Sequence, residues 1–556
     1  MSHAEEILKL GASELATAIR RGEITSLEAT TAAIDRIIDV DRAINAVVIR
    51  CFDEARTAAR IADAEVARAR SNKSLESLPP LLGVPATIKE CFFLAGTASS
   101  IGLTHLAKQR ATETGVLVRR LQHAGAILLG KTNVPQMMLW HECDNPVYGR
   151  TSNPWNTART TGGSTGGEAA IIAARGSFLG LGNDLGGSIR VPSHFCGIMG
   201  FKPTSHLLPR SGARNTLRGF DSIVTQPGPM ARRVDDLKLA MRVLRGEDAC
   251  SRQVSSDIGE LDTPLEARTI PLEVRLARTA SHEKLRIGWF DDDGVFPASP
   301  AVRRAVAIAR EILVSAGCEV IPVQPPRAQE LVTLYYNLLG SDGGTDTRAI
   351  TRGSELDWRV SRMLFLAGMP GLLRTLLSTG LRFAGQPTMA HLVASARATS
   401  ATGFWRLTYA MQQYQHEVLE QLQRERLVAL IGPPHALPAP QHRKPIDLLA
   451  AASYAYYANI LGFPAGVMGI TRVRDDEQAS REKSSDIALK QAAAVDRESA
   501  GLPVGVQVIG RPWEDDLVLD LMAMLERGAE SDPNYPCRGL GTPITPATTA
   551  EGLPSS

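Results

Sequence analysis

The sequence has few of the features that mark secreted, metal-binding or membrane-spanning chains. Its 556 residues include seven cysteines, an odd number with no C-x-x-C pair. That spacing argues against a disulfide framework and against a zinc site, so we expect a reducing, cytoplasmic location. The first ten residues carry no apolar signal-peptide core, and no apolar run reaches the roughly 18 residues of a membrane span.

The sequence also has almost no excess of one sign of charge. Lysine and arginine total 61 against 59 acidic residues, which leaves a net charge of +2. A chain without a basic excess lacks the electrostatic footprint of a nucleic-acid-binding protein, so we expect no nucleic-acid partner. The 44% hydrophobic and 22% charged content is ordinary for a soluble globular protein, and the length is ample for a large buried core.

The first 80 residues favour helices. Thr25 and Glu28 are spaced as in a capping box, where the threonine caps the helix and the glutamate reaches back. Gly22 is placed to end an earlier helix, and apolar spacing near the helical period continues over residues 28–38. We expect residues 1–80 to form an N-terminal helical segment packed on the core.

Residues 81–535 form the predicted core. Strands are expected near 81–89 and 126–129 and helices at 114–123 and 167–174, and this alternation indicates an α/β protein. Within the core, the apolar stretch 360–395 predicts an amphipathic helical pair, and the charge-dense stretch 474–498 predicts a solvated insertion. Residues 536–556 are rich in Pro, Thr, Gly and Ser and are expected to be a disordered tail.

Two glycine-rich loops and one lysine carry the chemistry. Ser164 lies in Gly-Gly-Ser-Thr-Gly-Gly, and Ser188 lies in Asp-Leu-Gly-Gly-Ser-Ile-Arg. Glycines before a serine let successive N–H groups point at one spot, as an oxyanion requires. Lys89 follows an apolar run, and a buried lysine can be a base because desolvation disfavours its charged form. Together these residues predict nucleophilic acyl transfer without histidine.

Two other motifs match short patterns. Residues 125–132 fit the P-loop pattern G-x-x-x-x-G-K-T, but their apolar inner positions suit a strand, so we reject nucleotide binding. Residues 162–166 fit the nucleophile elbow G-x-S-x-G of α/β-hydrolases. The polar stretch before it, which contains Pro154, disfavours the strand that an elbow needs. An esterase of that type with Ser164 as nucleophile stays an alternative.

The loops taken together resemble the amidase signature family. Its Gly-Val-Pro…Lys, Gly-Gly-Ser-Ser-Gly-Gly and Asp-x-Gly-Gly-Ser-Ile-Arg elements match residues 83–89, 162–167 and 184–190, and the offset of 24 between Ser164 and Ser188 also fits. The resemblance extends over about residues 13–525. Segments 89–92, 132–138 and 143–149 make the chain most similar to the fatty acid amide hydrolase branch.

The resemblance implies a three-layer α/β/α fold with a central mixed sheet and a Ser-Ser-Lys triad. In this triad Ser188 is the nucleophile, Ser164 the bridging serine and Lys89 the base, and the bond between Gly163 and Ser164 is a cis peptide. The second serine of the family loop is Thr165 here. Because it keeps a hydroxyl, we expect activity to survive.

The resemblance also assigns the surroundings of the triad. The N–H groups that would form the oxyanion hole belong to Leu185, Gly186, Gly187 and Ser188. Asp184 and Arg190 would brace that loop by a charge-assisted pair. Residues expected near the acyl group are Met138, Leu139, His141 and Trp513.

By resemblance, the activity is hydrolysis of C–N bonds in hydrophobic acyl or aryl amides through an acyl-enzyme, with esters or carbamates as further substrates. The resemblance implies a homodimer, and it implies no metal or organic cofactor. Residues 363–383 align with the segment that caps the active site and touches membrane in fatty acid amide hydrolases; the alternative is an ordinary core helical pair. Two further functions stay open: the family-related component of a tRNA-dependent amidotransferase, which works with partner subunits, and a non-catalytic binding protein.

Overall fold

The computed structural model describes residues 2–246, 284–395, 397–478, 481–538, 540 and 544. Through these residues runs one mixed sheet of eleven strands, in the order β1-β3-β2-β8-β10-β9-β14-β15-β13-β11-β12. The strands, in chain order, are β1 (Val47–Arg50), β2 (Pro85–Lys89), β3 (Ile127–Thr132), β4 (Asp144–Asn145), β5 (Gly149–Arg150), β6 (Ser152–Asn153), β7 (Asn156–Thr160), β8 (Leu179–Asp184), β9 (Met199–Lys202), β10 (Gln226–Ala231), β11 (Arg286–Trp289), β12 (Glu319–Pro322), β13 (Ala429–Gly432), β14 (Ala465–Arg472) and β15 (Pro503–Gly510). The pairs β4–β5 and β6–β7 form two small separate sheets.

Helices connect most of these strands. In chain order they are α1 (His3–Ile7), α2 (Ala12–Arg21), α3 (Ser26–Ile44), α4 (Phe52–Ser71), α5 (Val116–His123), α6 (Gly166–Ala173), α7 (Arg190–Cys196), α8 (Val234–Arg245), α9 (Pro300–Ser315), α10 (Ala328–Leu339), α11 (Thr345–Thr351), α12 (Trp358–Ala367), α13 (Gly371–Phe383), α14 (Pro387–Ala394), α15 (Ala401–Arg424), α16 (Ser453–Leu461), α17 (Ile487–Asp496) and α18 (Asp515–Ala529). Short 3-10 turns lie at Leu75–Ser77, Thr104–Leu106, Gln136–Met138, Pro445–Ala452, Asp475–Glu477 and Pro536–Arg538.

Helices cover the sheet on both faces. One group, α6 with α7, packs on β8, β9, β14 and β15, and a second group, α8 with α9 and α18, packs on β9, β10, β14 and β15. A Cβ on Gly200 of β9 would meet Ser193 of α7, and one on Gly466 of β14 would meet Met522 of α18. Since Gly466 is registered with Phe201, the neighbour of Gly200, the two helices lie on opposite faces and the sheet is the middle layer. This confirms the predicted α/β class with a central mixed sheet.

Local signals in the sequence predict several elements well. The Thr25 hydroxyl accepts a hydrogen bond from the Glu28 N–H at 3.1 Å and begins α3, as the capping-box pattern indicates. Gly22 ends α2 in the left-handed conformation, with φ of 64°. The P-loop-like residues lie in β3, where the Lys131 ammonium is buried and donates to the Ser99 hydroxyl at 2.7 Å. The strand interpretation of that segment is confirmed.

The N-terminal segment is joined to the sheet directly. Strand β1 pairs antiparallel with β3, and α3 packs against β2 and β3. Residues 1–80 therefore supply an edge strand as well as helices.

Parallel pairing of β2 with β8 prepares the site. Ala86 is registered with Leu179 and Ile88 with Leu181, so the two strands end at the same edge of the sheet. Lys89 is the last residue of β2, and Asn183 lies one residue before the end of β8. Because neighbouring parallel strands keep their ends together, side chains 94 residues apart in the chain meet there.

The apolar stretch near 360–395 folds into α12, α13 and α14 rather than a single pair. Its large side chains face outward: the exposed fraction is 72% for Phe365, 74% for Leu372 and 90% for Phe383. A core helical pair would bury these side chains, so that alternative is wrong. Within the described ranges no single helix is long and apolar enough to cross a membrane, and α12 with α13 meets that criterion only as a pair bent by 113°.

A buried ion cluster anchors α12 to the rest of the fold. The Arg359 guanidinium lies 2.8 Å from the Glu142 carboxylate and 2.7 Å from Asp357, and both Arg359 and Glu142 are buried. Glu142 also accepts a hydrogen bond from the Arg443 N–H at 2.8 Å. Burial alone would raise the pKa of Glu142, but His442 and Arg359 hold it below its ordinary value. The exposed helices are therefore fixed at their base by charge pairing.

The charge-dense stretch 474–498 differs from the expected solvated insertion. Helix α17 lies within it and buries Ala488, Ala492 and Val495, which share one helical face. The buried Arg159 guanidinium donates to the Val495 carbonyl at 3.1 Å and to the Arg497 carbonyl at 3.0 Å. The expectation is wrong for this helix because three small apolar residues at helical spacing outweigh the charges around them.

The predicted tail is packed where it begins. The Cys537 thiol donates to the Gly197 carbonyl at 3.2 Å, Tyr535 is buried just before it, and Ile544 packs against the core. Disorder is therefore the wrong prediction for residues 536–538. Most of the remaining tail lies outside the described residues.

Candidate active site

Lys89 is buried at the end of β2 with three oxygen partners. Its Nζ lies 2.7 Å from the Ser164 hydroxyl, 3.0 Å from the Thr165 hydroxyl and 2.7 Å from the Asn183 Oδ1. Asn183 Oδ1 can only accept, and the Thr165 hydroxyl already donates to the Asn183 carbonyl at 3.2 Å. Lys89 therefore donates to both. In its uncharged form these two bonds use both of its protons and leave its lone pair facing the Ser164 hydroxyl.

Burial brings that uncharged form closer to the neutral pH range. Burial lowers the pKa of Lys89 to about 8, although the negative charge of Asp184 and other nearby groups partly opposes the shift. Thr165 is the departure from the family loop, and its hydroxyl keeps the contact with Lys89. Gly182 leaves room for the extra methyl, because a Cβ there would lie 2.7 Å from it.

The two glycine loops meet at the serines. The peptide bond between Gly163 and Ser164 is cis, as the resemblance implies. The Thr165 N–H donates to the Ser188 carbonyl at 3.1 Å, which joins the loops through the backbone. Of the predicted relay, the structure contains the contact between the Lys89 Nζ and the Ser164 hydroxyl. Among the described residues it contains no hydrogen bond between the Ser164 and Ser188 side chains, although both are buried beside each other's loops.

Contacts with Asp184 and His141 fix the predicted oxyanion loop. The Gly187 N–H donates to the Asp184 carboxylate at 2.8 Å, and the Gly186 carbonyl contacts the His141 Nε2 at 3.0 Å. One peptide unit is thus fixed at both ends. The Gly187 N–H is engaged and does not point to a substrate, which corrects its predicted role. The N–H groups of Leu185, Gly186 and Ser188 have no hydrogen-bond partner in the described part of the chain.

His141 is a donor in this arrangement. Burial lowers the pKa of His141 to about 4, so its ring is neutral near pH 7 and the nitrogen beside the Gly186 carbonyl carries the proton. The resemblance predicts that His141 lies near the acyl group. In the structure its ring contacts the backbone of the catalytic loop, a role that no pattern around residue 141 could have indicated.

Asp184 and Arg190 form the predicted buried pair. The Arg190 guanidinium donates to both carboxylate oxygens at 3.0 Å, and both side chains are fully buried. Burial alone would raise the pKa of Asp184, but Arg190 and the Asn459 amide hold it well below its ordinary value. Arg190 also donates to Gln507 at 2.6 Å, so the loop is tied to β15.

The expected acyl-group residues fall in two places. Met138 and Leu139 are half-buried and precede His141, and the backbone at Trp140 lies against Gly163, where a Cβ would be 2.3 Å from the Trp140 carbonyl. These residues therefore run beside the Ser164 loop. The Trp513 side chain is 42% exposed. Its backbone N–H donates to the Thr204 hydroxyl at 3.0 Å, next to β9.

Glu168 is a buried carboxyl that the sequence did not reveal. It lies in the first turn of α6, just after the Ser164 loop, and accepts hydrogen bonds from Thr87 at 2.6 Å and Thr132 at 3.0 Å. Burial raises the pKa of Glu168 to about 8. A glutamate two residues into an otherwise apolar helix was the only signal for it.

Comparisons with known proteins identify the family of the chain. The family model described as Amidase matches residues 28–519. The chain is 34% identical over 531 residues to the fatty-acid amide hydrolase 1 of Sus scrofa, covering 94% of this chain and 86% of that protein. It is 30% identical to one component of the glutamyl-tRNA(Gln) amidotransferase of Synechococcus sp. (strain CC9311), covering 92% of this chain and 96% of that protein. A solved fatty acid amide hydrolase superposes with a TM-score of 0.77 at 23% identity, over 96% of this chain and 87% of that one. The chain therefore belongs to the amidase family.

Proposed function

We propose that the protein hydrolyses amides of apolar acyl or aryl acids, with Ser188 as nucleophile, Ser164 as proton relay and Lys89 as base. The single observation that carries this proposal is the hydrogen-bond set of Lys89. Its Nζ contacts two acceptors, the Thr165 hydroxyl and the Asn183 Oδ1, and its third neighbour is the Ser164 hydroxyl. Such an amine is placed to receive a proton and to return it.

In the proposed reaction, Lys89 takes the Ser164 proton while Ser164 takes that of Ser188. The Ser188 oxygen bonds to the amide carbon, and the carbonyl oxygen becomes an oxyanion facing the free N–H groups of the loop. The relay then runs in reverse, so that the leaving nitrogen is protonated as the C–N bond breaks. Water attacks the acyl-enzyme by the same relay and releases the carboxylic acid. Overall, one amide and one water give one acid and one amine.

The apolar substrate class rests on two supports. The relative with 34% identity is a fatty-acid amide hydrolase, whereas the amidotransferase component is 30% identical. The half-buried apolar residues Met138 and Leu139 also directly precede Trp140, whose carbonyl lies against Gly163 of the Ser164 loop. Esters and carbamates of the same acids would be attacked by the same nucleophile.

We further propose that the outer face of α12 and α13 rests on a lipid bilayer surface. Phe365, Leu372 and Phe383 are large apolar side chains that these helices expose, while Arg362 and Arg382 are exposed on the same helices. Apolar side chains accompanied by arginine suit an interface between acyl chains and anionic headgroups. The homodimer and the cytoplasmic location expected from the sequence stay predictions.

A fluorophosphonate probe tests the catalytic assignment. We expect covalent labelling of the wild-type protein and of Ser71→Ala, an exposed serine on α4. We expect no labelling and no hydrolysis of oleamide, oleoyl ethanolamide or an acyl anilide in Ser188→Ala. Ser164→Ala and Lys89→Ala should fold, as judged by thermal unfolding, and lose most activity. Activity retained in Ser188→Ala, or glutaminase activity gained on adding the other amidotransferase components, would overturn the proposal.

A further inference from the structure

Tyr335 lies against the catalytic loop although it is distant in sequence. A Cβ added to Gly186 would be 2.0 Å from the Tyr335 hydroxyl oxygen, so the phenol occupies the space directly beside the Gly186 backbone. Gly186 is two residues before Ser188 and carries one of the free N–H groups of the loop. The hydroxyl of Tyr335 is therefore placed next to the position that the scissile amide would take.

The Tyr335 hydroxyl makes no hydrogen bond within the described residues. Tyr335 is nevertheless only 6% exposed. The oxygen is not fully enclosed, so it contacts space that at least a water molecule can reach. A hydroxyl that is nearly buried, unpaired and in contact with such space is available to a bound molecule.

The ring itself is fixed. Tyr335 stacks on Tyr456 with ring centroids 4.0 Å apart and planes 8° apart. Tyr456 is held in turn, because its hydroxyl donates to the Leu449 carbonyl at 3.1 Å and pairs with the Tyr336 hydroxyl at 2.8 Å. Burial raises the pKa of the Tyr335 phenol well above its ordinary value, so it stays uncharged in the working pH range. A neutral phenol can accept as well as donate.

The loop leaves one polar atom of an amide substrate unmatched. A secondary amide presents a carbonyl oxygen, which accepts, and an N–H, which donates. The free backbone groups of Leu185, Gly186 and Ser188 are all donors and suit the oxygen only. The Tyr335 oxygen is the unpaired acceptor beside them.

Resting on the proposed function, we propose that Tyr335 is a specificity residue whose hydroxyl oxygen accepts a hydrogen bond from the N–H of the scissile amide. An ester has no such proton. The contact thus favours amides over esters of the same acid, because only the amide pairs with this oxygen.

Tyr335→Phe tests this with little change of shape. The variant keeps the stacked ring and loses one oxygen. We expect kcat/KM for oleoyl methylamide to fall about five- to tenfold, the loss expected for one uncharged hydrogen bond, and kcat/KM for methyl oleate to stay within about twofold. The rate of fluorophosphonate labelling, which needs no amide N–H, should not change.

Tyr409→Phe is the control, since it removes the hydroxyl of an exposed tyrosine on α15 that takes no part in fixing Tyr335. We expect its amide-to-ester ratio to equal that of the wild type. An unchanged ratio in Tyr335→Phe overturns the inference, whether both substrates keep their rates or both lose them equally. Failure of the proposed function is distinct from this, because the wild type would then show neither labelling nor amide hydrolysis.

Discussion

The Nζ of Lys89 lies 2.7 Å from the hydroxyl of Ser164, and both groups are buried. This contact sets the pH dependence of the proposed reaction. The base must be uncharged, and the pKa of Lys89 is about 8. The uncharged fraction therefore increases as the pH rises through that value.

We accordingly expect kcat/KM to rise with pH and to level off above about pH 8. The profile should be measured with a neutral amide, whose own charge does not change. Buffers overlapping at each pH and an unfolding scan control for stability. A rate that falls across the same interval would contradict the assignment of Lys89 as the base.

The contact between His141 and Gly186 should matter for catalysis more than for binding. His141→Phe keeps a ring and removes the donor to the Gly186 carbonyl, so the loop loses one of its fixed points. We expect kcat to fall about 10- to 100-fold, which is less than or similar to the loss of one oxyanion donor, with a smaller change in KM. Fluorophosphonate labelling should slow in parallel.

The control for this variant is His416→Gln on α15, whose side chain is exposed. It should leave both constants unchanged. If His141→Phe altered KM alone, the histidine would be a wall of the acyl pocket, as the resemblance first implied, and not a support of the loop.

Breaking the pair of Arg190 with Asp184 should destabilise the whole protein. Arg190→Met leaves a buried carboxylate without its cation, for which a loss of about 3–5 kcal/mol in the free energy of unfolding is typical. Urea unfolding followed by tryptophan fluorescence measures it. Arg56→Met, which removes a surface pair with Asp53, should change little. Similar midpoints for the two variants would contradict the structural importance of the buried pair.

The face of α12 and α13 should bind lipid vesicles. We expect the protein to co-sediment with vesicles of phosphatidylcholine and phosphatidylglycerol, and the double variant Leu372→Ser, Leu376→Ser to stay in the supernatant. Ile61→Ser removes a side chain of similar exposure, 64%, from α4 and should bind as the wild type does. The face would have another partner if the double variant bound vesicles as the wild type does. The same would follow if the wild type sedimented as a dimer and the double variant as a monomer in ultracentrifugation.

The motifs of the sequence locate Lys89, Ser164 and Ser188 better than they locate the residues around them. Lys89, Ser164 and Ser188 lie in motifs whose glycines are visible in the chain. The contact between Lys89 and Asn183 depends on the register of β2 against β8, which a single strand does not specify. Tyr335 reaches Gly186 from α10, about 150 residues away, and nothing around it differs from an ordinary amphipathic helix.

Local charge misled the prediction for α17, where three buried residues decide the packing and the surrounding charges do not. The predicted role of Gly187 failed for a different reason. Its N–H is attracted by Asp184, a carboxylate three residues earlier in the same loop, and only the backbone conformation decides which way a peptide turns.

The ion pair at the foot of α12 bears on attempts to make a more soluble variant. Deleting the apolar helices would also delete Arg359 and leave Glu142 enclosed without its cation, one residue from the histidine that holds the Gly186 carbonyl. A shortened enzyme would thus lose the exposed apolar surface, but the catalytic loop would also lose part of its support. Solubility is better sought by exchanging outward side chains such as Phe383 while the arginine is kept.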